Sequence, residues 1–446
     1  MIQLISNFFK LKEHQTTFRT EWMAGLTTFM TMAYILAVNP GMLSSTGMDK
    51  GALFTATALA SIVGTLAMAL LANLPFALAP GMGLNAIFAF TICGALGASW
   101  QTALTAVLIE GIIFIALTFL RVREAIIDAI PMPIKHAISV GIGLFIAFIG
   151  FNNSGIVKTG MSALPDGNLI GLIVSLGDLT SPSALVALAG IIVTGALLAR
   201  RVKGAILYGI LASTLLSVPM GLISFNGFVP VQLPPSIAPI FMKFDFSNVF
   251  TMDMILIMFT LLFVDMFDTV GTLIGVSDRA GMLDKNGKVP NAKQALLADA
   301  IGTTVGACLG TSTVTTYVES AAGVTEGGRT GLTALSTAFF FMLALFFSPV
   351  FLMVPAAATA PALIIVGMFM MAPVSKIHWD DFTEAIPAFL TFVMMPFSYS
   401  IADGITFGIV SYVLIKLASN RSKDIPVLTY VLAALLVLKY VIHAIQ

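Results

Sequence analysis

The chain has 446 residues, 58% of them hydrophobic and only 10% charged, and its 22 basic residues balance its 22 acidic ones. Soluble globular chains carry roughly 25% charged residues, so this composition excludes a water-soluble globule, and a net charge of zero gives no reason to expect a nucleic acid or another polyanion as partner. Two cysteines, Cys93 and Cys308, both in apolar segments, exclude a disulfide framework and a zinc site.

In chain order, residues 1–19 are amphipathic and basic without a cleavage-site pattern, which predicts a cytoplasmic interfacial segment. A membrane helix needs about 20 apolar residues. Stretches of that kind recur near 20–40, 51–73, 81–97, 100–120, 134–151, 182–199, 204–222, 250–277, 292–309, 318–326, 330–353, 358–372, 384–399 and 402–418, and 425–443 is a further apolar stretch. The loops between them are too short for a soluble domain. The fold class is therefore an all-α polytopic membrane protein in a lipid bilayer.

Basic residues orient the spans. With the N-terminus in the cytoplasm, Arg121, Arg123, Arg200, Arg201, Lys203, Arg279, Lys285, Lys288, Arg329, Lys376, Lys416, Arg421 and Lys423 fall inside, and little beyond Lys50, Lys158 and Lys243 falls outside. The two halves also echo each other. "TALASIVG" (57–64) matches "DAIGTTVG" (299–306), "IPMPIKHAISVGIG" (130–143) matches "VPAAATAPALIIVG" (354–367), and "KGAILYGI" (203–210) matches "DGITFGIV" (403–410). With an odd number of spans per half, the second copy is inverted. Inverted repeats are the architecture of secondary transporters, with the site at the midplane.

Two segments break the helical pattern. In "NLPFALAPGMGLNAIFAF" (73–90), Pro75 and Pro80 cannot continue a helix, which predicts extended chain over 76–80 and a helix from about Gly81. In "GTSTVTTYVESAAGV" (310–324), the β-branched run 311–318 suits a strand, with Glu319 and Ser320 where a helix restarts. Non-helical backbone at membrane depth must be paired or line a cavity. The economical solution is two short antiparallel strands, each leading into a half-helix. Two kinked helices without a ligand are the plainer alternative.

Between these breaks lies "LLFVDMFDTVGTLIG" (261–275), with Asp265 and Asp268 on one helix face. A central Asp costs roughly 2.5–3.5 kcal/mol on insertion scales. Glu319 is a third acid, and no basic residue stands at matching depth. Such acids either bond to neighbouring helices, hold a metal, or bind a polar substrate and exchange protons near neutral pH. Scarce histidine and the lack of ligand spacing argue against metal, and the third reading is preferred. Asn85 caps a half-helix or touches ligand, Thr315 and Thr316 line a cavity or bond to backbone, and Asp299 is either a structural bond or a functional group. Glu110 and His136 read as packing groups, and Gly271 and Gly275 as a close-packing GxxxG pair. Asp278 and Asp284 read as loop acids.

At these residues the chain resembles the azaguanine-like purine permeases of the nucleobase–ascorbate transporter family. The blocks are "TFMTMAYILAVNP" (28–40), "APGMGLNA" (79–86), "DMFDTVGTLIGVSDRAGM" (265–282) and "GTSTVTTYVESAAGVTEGGRTGLTA" (310–334). The resemblance implies fourteen spans in two inverted seven-helix repeats. Core spans would occupy 20–120 and 223–353, gate spans 121–222 and 354–418, and 419–446 would be a C-terminal apolar segment. It implies import of a purine nucleobase with protons across a bacterial cytoplasmic membrane, no cofactor, and a homodimer through the gate domains. The implied base contacts are Asp268 and Glu319, with Gly81, Met82, Gly83, Leu84, Asn85, Thr28, Thr316, Tyr317, Val318 and Ser320 around them, and Asp265, Asp268 and Glu319 couple protons. A purine edge offers adjacent N–H donors that a carboxylate accepts in a fork, and Phe76, Phe88, Phe267 and Tyr317 are the candidate walls for its flat ring. A sulfate-type anion exchanger shares the architecture but suits acidic residues badly. A channel lacks its polar stripe, and an enzyme lacks a nucleophile–base pair or metal ligands.

Overall fold

The computed structural model describes residues 2–119, 131–163, 169–223, 229–247, 249, 251–279, 281–283 and 289–445. Arg121, Arg123, Asp284, Lys285 and Lys288 lie outside them, as does the side chain of Phe267. The first half runs α1 Ile2–Phe8, α2 Phe18–Met32, α3 Ile35–Leu43, α4 Lys50–Ala67, β1 Leu78–Pro80, α5 Met82–Ala86, α6 Trp100–Phe119 and α7 Met132–Asn153. A hairpin, β2 Val157–Ala163 and β3 Leu169–Leu176, then precedes α8 Pro182–Ala199 and α9 Ala205–Ser217. The second half runs α10 Met252–Arg279, α11 Ala292–Leu309, β4 Val314–Thr316, α12 Ser320–Thr325, α13 Gly331–Ala344 and α14 Ser348–Leu352. It ends with α15 Ala356–Met370, α16 Phe382–Ser398, α17 Ile401–Ala418 and α18 Val427–Ile445. Wide turns of π type extend α4 over Met68–Ala72 and α5 over Ile87–Ala95.

Among the described residues, nine helices are long and apolar enough to cross a membrane, and Met82–Ala95, Ala205–Ser217 and Phe382–Ser398 are shorter apolar helices. The chain is a multi-pass membrane protein. Its helices fall into two packed groups: α2, α3, α4, α6, α10, α11 and α13 around the β1–β4 pair, and α7, α8, α9, α15, α16 and α17 beside them.

The internal repeat is visible in the glycines at the helix crossings. Pro131 caps α7 and Pro355 caps α15, and the two helices cross where a Cβ on Gly143 or on Gly367 would strike the carbonyl of the other. Gly209 and Gly408 each receive the hydroxyl-bearing side chain of a threonine from the preceding helix, Thr194 and Thr391. In the other group, α4 and α11 cross at Gly64 and Gly302, where a Cβ on Gly302 would lie 3.2 Å from the Gly64 Cα. That moves the repeat register by one helical turn from the sequence match of Gly64 with Gly306. Small residues recurring at helical spacing make the two registers indistinguishable in sequence.

Three local features differ from expectation. The β2–β3 hairpin, with Met161 opposite Gly171 and Ser162 opposite Ile170, occupies what reads in sequence as a loop between spans. Residues 1–19 do not simply lie along a surface: Phe9 and Leu11 are buried against Ala69, Leu332 and Ala334, and Asn73 donates to the Phe9 carbonyl at 3.3 Å. Gly271 and Gly275 face open space among the described residues, so they are not a packing pair. The 425–443 stretch is helix α18, packed along α17.

Overpacking a crossing costs about 1–3 kcal/mol. Gly367→Val is therefore expected to lower the melting temperature of the detergent-purified protein, while Gly41→Ala, at a position with open space around it, leaves it unchanged.

Candidate functional site

The β1–β4 pair lies where the two halves meet. It is antiparallel, with Leu78 opposite Thr316, Ala79 opposite Thr315 and Pro80 opposite Val314. Three-residue strands inside a membrane protein leave backbone groups that no water can satisfy, and side chains of the flanking helices satisfy them in matching ways. The Thr65 hydroxyl of α4 receives the Leu78 N–H at 2.9 Å and donates to the Leu78 carbonyl at 3.1 Å. Thr303 of α11 does the same for Val314, at 3.2 and 2.9 Å. The ladder is prolonged by Gly81 N–H to the Thr313 carbonyl and Tyr317 N–H to the Ala77 carbonyl, each 3.0 Å. Ser320 accepts from the Ala77 N–H at 3.0 Å, and the Tyr317 hydroxyl donates to the Pro80 carbonyl at 2.5 Å.

Around this pair the structure gathers five acids from four elements. Asp268 of α10 and Glu319, the cap of α12, are half-buried and in electrostatic reach of each other. Glu319 is held by the Tyr34 hydroxyl at 2.6 Å, and Thr31 donates to its backbone carbonyl at 3.4 Å. Behind them Asp265, Glu110 and Asp299 are fully buried. Asp299 accepts from Thr269 at 3.0 Å and from Thr316 at 3.4 Å, Thr269 and Thr315 share a hydrogen bond of 2.7 Å, and Thr313 donates to Glu110 at 2.8 Å. Among the described residues no hydroxyl, amide or backbone N–H donates to either oxygen of Asp265 or to Glu110 Oε1.

Of the other sequence-predicted residues, Val318 is 50% exposed and stands beside Glu319 at the open face. Gly81, Met82, Gly83, Leu84, Asn85, Thr316, Tyr317 and Ser320 are buried. Gly83 is covered by Ile142 of α7, 2.7 Å from where its Cβ would stand. The Asn85 carboxamide accepts from the Ser312 hydroxyl, and its Nδ2 has no partner. Thr28 is buried against Gly323 of α12, its hydroxyl unpartnered. Phe76 and Phe88 are both at 0% exposure within the hydrophobic core, so neither forms a wall of the open face. Sequence reasoning missed Tyr34 as the partner of Glu319, and it treated Glu110 as packing. The adjacency of "MAYILAVNP" to the strand run in space is a tertiary fact without a local signal. At six residues, α12 is also too short for its dipole to count as an anion site, so the chemistry of the open face is that of its two carboxyls.

A half-open pair of carboxyls beside a sealed acidic interior suits a ligand whose edges carry N–H donors. The family model described as "Permease family" (Xan_ur_permease) matches residues 19–407. The chain is 45% identical over 433 residues to the Guanine/hypoxanthine permease PbuO of Bacillus subtilis, covering 96% of this chain and 98% of that protein. It is 42% identical over 438 residues to the Adenine permease AdeQ of Escherichia coli, covering 98% and 96%. Among solved structures, the transmembrane domain of the cyanobacterial bicarbonate transporter BicA superposes with a TM-score of 0.63 at 14% identity, covering 87% of this chain and 97% of that one. That likeness is one of fold alone.

A buried backbone group left without a partner costs about 1–3 kcal/mol. Thr65→Val and Thr303→Val, which keep the side-chain shape, are each expected to lower thermal stability by that order, whereas Thr325→Val, in an exposed hydroxyl contact within α12, is expected to be neutral.

Proposed function

Since the chain belongs to the Permease family, here the nucleobase–ascorbate transporters, and is not an enzyme, we propose that it imports purine nucleobases together with protons across a bacterial cytoplasmic membrane. Its N-terminus lies in the cytoplasm in this reading. The observation that carries it is the Asp268–Glu319 pair: two half-buried carboxyls in reach of each other, with no basic side chain among their ionisable neighbours in the described residues. A purine presents ring and exocyclic N–H groups along its edges, and carboxylates accept these in charge-assisted bonds. An inorganic anion would meet only repulsion there, which disfavours a sulfate-type exchanger. The guanine/hypoxanthine and adenine permeases among the relatives support the substrate class.

The group around β1–β4 acts as the core and the α7–α9 and α15–α17 group as the gate. Ile142 of the gate closes over Gly83, so the backbone of Gly81 to Leu84 becomes accessible to the base only when α7 withdraws. On the cytoplasmic side, Lys203 of the gate pairs with Glu326 at the end of α12; further along the interface, Phe90 of the core packs on gate residues Phe145 and Tyr399 with centroids 6.4 and 5.8 Å apart. Movement of core against gate must exchange these contacts. Carrying one positive charge inward gains about 2.3 kcal/mol per 100 mV, so proton entry drives accumulation.

In membrane vesicles, Asp268→Asn and Glu319→Gln are expected to abolish uptake of labelled hypoxanthine. Tyr34→Phe removes a bond to a charged group worth about 1.5–3 kcal/mol, and is expected to weaken uptake at least tenfold. Competition by guanine, hypoxanthine and adenine ranks the bases. Full uptake by Asp268→Asn would overturn the base assignment, and wild-type uptake indifferent to an uncoupler would remove proton coupling.

A further inference from the structure

The buried carboxyls of Glu110 and Asp265 stand outside the base contacts, and their surroundings are unusual. Both side chains are at 0% exposure. Three of their four oxygens receive no hydrogen bond from any donor of fixed protonation, the fourth being Glu110 Oε2 with its Thr313 contact. The two groups are nevertheless within hydrogen-bonding reach of each other. Two carboxylates are both pure acceptors, so a bond between them exists only when a proton lies between them. The neighbours sharpen the point. Asp265 is faced by Glu110 from α6, by Asp299 from α11 and by Asp268 on its own helix, and Asp268 in turn faces Glu319 and Tyr317. From the residues before β4 comes the Thr313 hydroxyl, which donates to Glu110, and from β4 the Thr315 hydroxyl, which bonds to Thr269 beside Asp299. Among the described residues no Lys, Arg or His faces these acids, and an isolated ionised carboxylate in a dry interior is too costly to persist.

We propose that Glu110 and Asp265 share one proton, and that this pair, behind the strands and away from the base, is the proton-carrying element of the transport cycle. The inference rests on the proposed proton-coupled uptake. In the resting pair an O–H of one carboxyl donates to the other, with a net charge of −1. Loading adds a proton from the outer water to the free carboxylate oxygen, giving two neutral carboxyls and no net charge. Unloading returns that proton to cytoplasmic water and restores the shared bond. The hydroxyls of Thr313, Thr315, Thr269 and Thr316 tie Glu110 and Asp299 to β4 and the residues flanking it, so a shift of the strand when a base engages Glu319 changes the donors available to both acids. Asp268 and Glu319 then grip the base, while Glu110 and Asp265 count the proton.

The test uses the full chain in proteoliposomes. Glu110→Gln keeps the size of the side chain and its capacity to bond Asp265 but cannot gain or release a proton. Equilibrium counterflow of hypoxanthine, which needs no net proton movement, should stay within about twofold of wild type. Accumulation driven by an imposed proton gradient, and the hypoxanthine-linked alkalinisation of the outer medium, should fall at least tenfold, and Glu110→Asp should restore part of both. Gradient-driven accumulation by Glu110→Gln above half the wild-type level would overturn the assignment. So would loss of counterflow in both variants, because the residue would then serve the fold or the base. If wild type itself shows no proton-linked uptake, the proposed function fails; if wild type and Glu110→Gln show it equally, only this inference does.

Discussion

The constraint on which the structure depends is that backbone polar groups inside a membrane protein must find partners within the chain. The proline- and glycine-broken segments of the two halves meet it together. Each contributes a three-residue strand, the strands pair, and the outer edge of each is closed by a threonine of the neighbouring long helix. One consequence is geometric: neither half could place its broken segment at this depth without the other. The site is therefore built at the junction of the repeats because that is where irregular backbone is tolerated.

The second consequence concerns charge. A strand pair rich in threonine brings hydroxyl donors to a region where five carboxyls converge with no cation among the described residues beside them, and these donors settle Asp299 and Glu110 in part. Two acids remain at the open face and three lie behind it. In the proposed cycle that layering would separate tasks which conflict in a single group, because a carboxylate that must accept N–H bonds from a base is poorly placed to hold a proton at the same moment. In the proposed cycle the burial of Asp265, Glu110 and Asp299 would keep water from shuttling protons without substrate. Ile142 resting on Gly83 and the Lys203–Glu326 pair are contacts between the two helical groups that the proposed movement of core against gate would exchange.

Much of this was legible in the sequence, for physical reasons. Apolar run lengths report the bilayer directly, Pro75 and Pro80 forbid a continuous helix, and the β-branched run at 311–318 favours extension, so strand β4 and the start of α5 at Met82 fell close to where local chemistry put them. Asp265 and Asp268 stood out because charge is costly in hydrocarbon. What was hidden depends on tertiary neighbours. Tyr34 reads as an ordinary aromatic in an apolar helix until Glu319 is found 2.6 Å away. Glu110 reads as a packing group until Asp265 is seen beside it. Phe76 and Phe88 look like stacking rings but are spent in the core, and the repeat register at Gly64 slipped by a turn because small residues recur too often to fix it. The paired strands at 157–163 and 169–176 were obscured by the apolar spans that flank them.

The central claim is that a base and a proton enter this acidic site together. Calorimetric titration of the purified protein with hypoxanthine, in buffers of different ionisation enthalpy, measures the protons bound along with the ligand. The account predicts net proton uptake on binding in wild type, and neither heat of binding nor proton uptake in Asp268→Asn. Binding with no buffer dependence, or unchanged binding by Asp268→Asn, would contradict it.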